Sequence, residues 1–124
     1  MEIGQRVPAA RKLVDRYGGG GFRIGGESFK GSVLVASTFA LAWPPADLAE
    51  VTAASLEPLF AAGIAIDLLL LGCGPRLVPP PASLRAALRA RHVAIEAMDT
   101  GAACRTFNVL TAEGRHVVAA LIAV

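Results

Sequence analysis

The spacing of hydrophobic and polar positions changes several times along the chain, and each change marks a new element. Phe22–Ile24 and Phe29–Ser37 are β-rich runs separated by Gly25-Gly26, a pattern that predicts a hairpin. Phe39–Trp43 predicts another short strand, ended by Pro44-Pro45 because the residue before a proline is restricted. Asp47 and Glu50 stand at capping-box spacing and mark a helical turn. Leu56–Ala62 predicts a helix with Ser55 as its cap. Pro58 lies in its first turn, where a missing N–H costs little, and Gly63 closes it. Ile64–Leu71 is an apolar run broken only by Asp67. Its length and its end at Gly72 predict a strand buried within a sheet.

Pro79-Pro80-Pro81 stiffens the approach to a second helix, for which Ser83 is the expected cap. Leu84, Ala87, Leu88 and Arg91 recur at i, i+3, i+4 and i+7, which turns Leu84, Ala87 and Leu88 to the core and Arg85 and Arg89 to water. After His92, Val93–Ala97 predicts another strand. A third helix begins after Asp99 or Thr100, with Ala103, Phe107 and Leu110 on one stripe. Gly114 ends it, and Arg115–Val124 returns as a final strand. Met1–Arg16 has weak periodicity and contains Pro8, so an irregular N-terminal arm is expected there, with 17–124 forming a single α/β domain. Hairpin, helix, strand, helix, strand, helix, strand is the alternation of a layered α/β fold.

At 124 residues the chain has the length of one domain and can bury roughly two thirds of its unfolded surface. Its hydrophobic share of 54% leans on alanine and implies a packed core. The longest apolar stretch falls far short of the roughly 20 residues that cross a bilayer. No apolar signal region follows Arg6, Arg11 and Lys12, so a cytoplasmic bacterial protein is expected. A net charge of +2 does not by itself imply nucleic-acid binding. Cys73 and Cys104 form neither a CxxC motif nor a zinc framework and read as thiols. His92 and His116 are isolated, so neither a metal site nor a cofactor is inferred.

Chemistry concentrates in one place. If the strands at Ile64–Leu71 and Val93–Ala97 are parallel neighbours, their C-terminal ends open on the same sheet edge, where ligands of open α/β sheets bind. That edge gathers Gly72, Cys73, Gly74 and Arg76 from one loop and Asp99, Thr100, Cys104 and Arg105 from the other. The glycines suit either a tight turn or close backbone approach to a ligand, but they form neither a Walker motif nor a dinucleotide fingerprint. Free N–H groups at the helix start would suit a phosphate or carboxylate with Arg76 or Arg105 as countercharge. Capping by Asp99 or Thr100 would occupy the same donors, and is the favoured reading. Cys104 lies near a helix start beside Arg105, where a thiol pKa can fall. A small buried side chain is the favoured alternative. Arg76, Arg85, Arg89 and Arg91 form an acid-free run that reads as a solvated helix face or as a basic face for an acidic protein surface or anionic headgroups. Trp43 reads as an exposed partner anchor or as a plug at the core's edge.

The segment Met98-Asp99-Thr100-Gly101-Ala102-Ala103-Cys104-Arg105-Thr106-Phe107-Asn108-Val109-Leu110, followed by Ala112-Glu113-Gly114-Arg115, resembles the signature of a small family of largely unknown function. That family includes a mitochondrial assembly factor of respiratory complex I, the third of the NADH–ubiquinone oxidoreductase alpha subcomplex, and bacterial and archaeal relatives. The resemblance spans about Tyr17 to Val124. It implies a three-layer α/β domain around a mixed, mostly parallel sheet of about five strands, with an N-terminal hairpin and an antiparallel last strand. Relatives usually have threonine where Cys73 stands and often tyrosine where Phe107 stands, so a mechanism needing either hydroxyl does not transfer. By analogy the chain is expected to be a non-enzymatic binding or assembly module. Its partners would be respiratory or membrane-associated subunits, met through Trp43, Arg85, Arg89 and Arg91, with peripheral membrane contact allowed and no nucleic acid. The alternative is a small-molecule or anion binder, or an enzyme, using the cleft at Gly72–Arg76 and Thr100–Cys104.

Overall fold

The computed structural model describes residues 11–124. Strands β1 (Val14–Gly18), β2 (Gly21–Ile24) and β3 (Glu27–Lys30) form an antiparallel sheet in chain order. Strands β4 (Val33–Val35), β5 (Ala40–Ala42), β6 (Leu68–Gly72), β7 (Ala94–Met98) and β8 (Val117–Leu121) form a second sheet in the order β5-β4-β8-β6-β7. The helices are α1 (Glu57–Phe60), α2 (Ala82–Arg89) and α3 (Thr100–Ala112).

Strand alternation sorts the core into two layers on either side of the larger sheet. Leu69, Leu71, Val118 and Ala120 pack with Leu56, Leu59, Leu84 and Leu88 on one face. Leu70, Val117, Ala119 and Leu121 pack with Phe107, Cys104, Phe22 and Ile24 on the other. One face therefore carries α1 and α2, and the opposite face carries α3 with the small sheet. These are the three layers expected, and each is the period-2 consequence of a strand buried on both sides.

Several boundaries differ from expectation, each for a local reason. Most of the arm expected at Met1–Arg16 lies outside the described residues, but Val14–Arg16 belongs to β1 and pairs with β2. Phe29–Ser37 is two strands: Gly31, at φ 81°, bends the chain so that Val33–Val35 leaves the small sheet and pairs with β8. Ser55 does not cap the helix. It exchanges hydrogen bonds with Thr52, which holds a 3₁₀ turn at Ala54–Leu56 that runs into the short α1. Ser83 is likewise inside α2, because the helix starts directly after extended Pro81. Leu68, not Ile64, begins β6; Ile64 and Ile66 pack against the core from a loop.

The expectation of an antiparallel last strand needs correction. β8 is antiparallel to β4 but parallel to β6. The path β6–α2–β7–α3–β8 returns the chain in the same direction twice, so β6, β7 and β8 share one direction. The antiparallel pairs β4–β5 and β4–β8 balance the parallel pairs β6–β7 and β6–β8, so the sheet is evenly mixed rather than mostly parallel.

Candidate functional site

The ends of β6 and β7 do lie side by side, and they bring Gly72–Gly74 to Asp99–Thr100 as expected. The two loops close on each other. Thr100, fully buried, accepts a hydrogen bond at Oγ1 from the Gly74 N–H (2.9 Å) and donates from the same oxygen to the Ile122 carbonyl (2.7 Å). The Thr100 N–H donates to the Gly74 carbonyl (2.8 Å), and the Cys73 N–H to the Met98 carbonyl (2.8 Å). One hydroxyl therefore ties together both loops and the chain leaving β8. Gly72 serves close approach: a Cβ there would stand 3.1 Å from Thr100 Cα and 3.0 Å from Leu121 Cδ2. Gly72→Ala is expected to lower stability by about 1–3 kcal/mol through overpacking, measured by chemical denaturation.

The start of α3 is similarly occupied. Asp99 is its N-cap and accepts from the Ala102 N–H (2.9 Å), while its carbonyl accepts from the Ala103 N–H (3.0 Å). With the Thr100 N–H on Gly74, the donors that would hold an anion mostly serve the fold. Gly101 lies beneath Tyr17, whose hydroxyl would stand 2.8 Å from an added Cβ and accepts from Arg105 Nη1 at 2.7 Å. Asn108 joins α3 to β1 like a strand neighbour: its Oδ1 accepts from the Val14 N–H (2.8 Å) and its Nδ2 donates to the Val14 carbonyl (2.9 Å). These links to Tyr17 and Val14 were not legible in the sequence, since no local pattern specifies which distant strand lies over a helix. Arg76 is exposed on the turn after Gly74.

Both cysteines are buried. Cys73 Sγ lies 3.3 Å from the Val78 carbonyl. Burial raises the Cys104 thiol from 9.0 to about 12, overriding the downward pull of Arg105, with Asp99 adding a smaller upward push. A protonated, shielded sulfur is a poor nucleophile. Between pH 9 and 12 the unfolded thiol ionises while the folded one keeps its proton, so this thiol's stabilising contribution declines as pH rises through that window. The Cys104→Ala variant is expected to show a shallower fall of unfolding free energy over that range than wild type, measured by denaturant titration at each pH. Among the described residues no group of three or more His, Cys, Asp or Glu could hold a metal ion.

The arginine run is not uniform. Arg91 bonds Glu57 at 2.9 Å and stacks its guanidinium 4.3 Å from the centre of the Phe60 ring, so it braces α1. Arg85 and Arg89 are exposed and line a hollow of about 420 Å³ between α2 and β7. A second hollow of about 380 Å³ continues along β7 past Arg85 to Leu77 and Pro80. Trp43 is only 3% exposed and donates from Nε1 to the Ser55 carbonyl (2.7 Å), so it plugs the core rather than presenting an anchor.

The geometry defines a three-layer α/β domain whose ligand-prone sheet edge is sealed by the N-terminus of its own last helix. The chain belongs to the DUF498/DUF598 family, described as proteins of unknown function, whose model matches residues 14–122. An uncharacterised protein of Rhodobacter capsulatus is 38% identical over 109 residues, covering 88% of this chain and 82% of that one. The NADH dehydrogenase [ubiquinone] 1 alpha subcomplex assembly factor 3 of Danio rerio is 32% identical over 98% of this chain and 70% of its own length. The human factor of the same name is 31% identical over 95% of this chain and 64% of its own length. Among solved structures, a Bartonella henselae protein described as an outer membrane protein superposes with a TM-score of 0.84 at 35% identity, over 93% of this chain and 97% of that one. A Bordetella pertussis protein described as an Mth938-like domain gives 0.80 at 29% identity, over 98% and 91%.

Proposed function

We propose that this protein is a non-enzymatic binding module that assists assembly of respiratory complex I, acting on respiratory or membrane-associated subunits from the cytoplasmic side. The observation that carries this reading is the similarity to complex I assembly factor 3 across nearly the whole chain, at 32% identity for the fish protein. The site chemistry is consistent with it. Within the Asp99–Asn108 segment, Asp99 caps α3, Thr100 closes the sheet edge, Cys104 and Phe107 fill the core and Asn108 ties down β1. No helix among the described residues is long and apolar enough to cross a membrane. Affinity purification of the tagged wild-type chain from its host in mild detergent, followed by mass spectrometry, tests this. Recovery of complex I subunits or their insertion machinery is the expected result. Recovery of neither, with the tagged chain itself abundant, would contradict it.

A further inference from the structure

The larger sheet ends on two different edges. β5 is three residues long and runs into Pro44-Pro45, which cannot extend a ladder. β7 is five residues long, contains neither proline nor lysine, and pairs only with β6 among the described strands. Its backbone orientation follows from the bonds it makes. The Ala94 N–H donates to the Asp67 carbonyl and the Met98 carbonyl accepts from the Cys73 N–H, so residues 94, 96 and 98 address β6. Successive residues alternate, so the N–H and C=O groups of Ile95 and Ala97 point away from the sheet. This is the template onto which an extended chain adds.

The ground beside that edge is chemically specific. Ile95 and Ala97 pack on the α2 side, where Arg85 and Arg89 border the same hollow as Ile95. Glu96, whose partner Leu70 packs on the α3 side, alternates to the opposite face, although it also borders the second hollow. Arg85 and Arg89 are one helical turn apart, about 6 Å along the axis. Same-face side chains of a strand recur every ~6.7 Å. Further along, Leu77 is 58% exposed beside Ala97 and gives an apolar end to the track.

We infer that the free edge of β7 accepts an extended segment of a partner protein as an added strand, with acidic side chains at i and i+2 facing Arg89 and Arg85 in that order and an apolar one at i+4 against Leu77. This builds on the proposed binding role by giving the partner a chemistry. Backbone pairing to Ile95 and Ala97 supplies attachment, and the two arginines select for acids.

The probe is a blocked peptide, Leu-Thr-Glu-Thr-Glu-Thr-Leu, which presents the same side chains in either direction. It would be titrated to millimolar concentration into the ¹⁵N-labelled chain. Saturable shifts centred on the amides of Ile95 and Ala97 are expected. The Arg85→Glu/Arg89→Glu variant, folded by its own spectrum, is expected to bind at least tenfold more weakly. N-methylating every internal peptide amide removes the donors in either strand direction and should abolish binding. The inference is overturned by shifts that avoid Ile95 and Ala97, by indifference to charge reversal, by undiminished binding of the N-methylated peptide, or by no binding at all. The two readings fail separately. If wild type and the charge-reversed variant capture the same respiratory proteins, the edge is not the docking site and the assembly role stands. If wild type captures none while the peptide binds as described, the assembly role fails and the edge site stands.

Discussion

Replacing Thr100 with valine is expected to lower the unfolding free energy by about 3 kcal/mol, although the change keeps the side chain's shape and adds no charge. The hydroxyl is an acceptor for the Gly74 N–H and a donor to the Ile122 carbonyl, with no exposure to water. Valine leaves both backbone groups buried without that partner, and each orphan costs about 1–3 kcal/mol. Thr100→Ser keeps the oxygen and is expected to recover most of the loss. Urea denaturation of the three proteins measures it. A valine variant within 0.5 kcal/mol of wild type, on the order of an ordinary surface substitution, would show that the loops are not held through this hydroxyl.

Phe107→Ala is expected to cost about 4 kcal/mol, the range for removing a fully enclosed aromatic ring. Phe107 is completely buried in the layer between the larger sheet and the small one, with Phe22, Ile24 and Leu70 in the same cluster. Its loss strikes the contact that holds β1–β3 to the rest, so hydrogen exchange at Phe22 and Ile24 should accelerate more than exchange at Leu69 and Leu71 on the far side of the core. Equal acceleration on both sides would mean that the two layers unfold as one unit.

The order of elements was legible because the period of the apolar positions is local information. Leu84, Ala87 and Leu88 declare a helix face, and the apolar run Ile64–Leu71 declares a strand covered on both sides. Boundaries failed where a backbone angle or a distant partner decided them. Gly31 splits one β-rich run into strands of two sheets, and Ser55 exchanges hydrogen bonds with Thr52 instead of capping α1. Strand order was beyond reach, and with it the parallel pairing of β8 to β6 and the open edge at β7. The same limit governed the site. Adjacency of Gly72–Gly74 to Thr100 followed from parallel strands, but closure of that edge depends on the Ile122 carbonyl, which arrives from the other end of the fold. Arg91 read as a surface feature, and Trp43 stayed open between anchor and core plug, because their partners, Ser55, Glu57 and Phe60, become neighbours only after folding.

The Asp99–Asn108 segment builds the scaffold, and the proposed role is to hold partners during complex I assembly. Native-gel quantification of complex I in a host deprived of this chain, then supplied with wild type or Cys104→Ala, tests it most directly. Complex I is expected to fall and smaller subcomplexes to accumulate without the chain, and both forms are expected to restore it, because burial shields the Cys104 sulfur and raises its pKa. Normal complex I without the chain, or rescue by wild type but not by a folded Cys104→Ala protein, would contradict it.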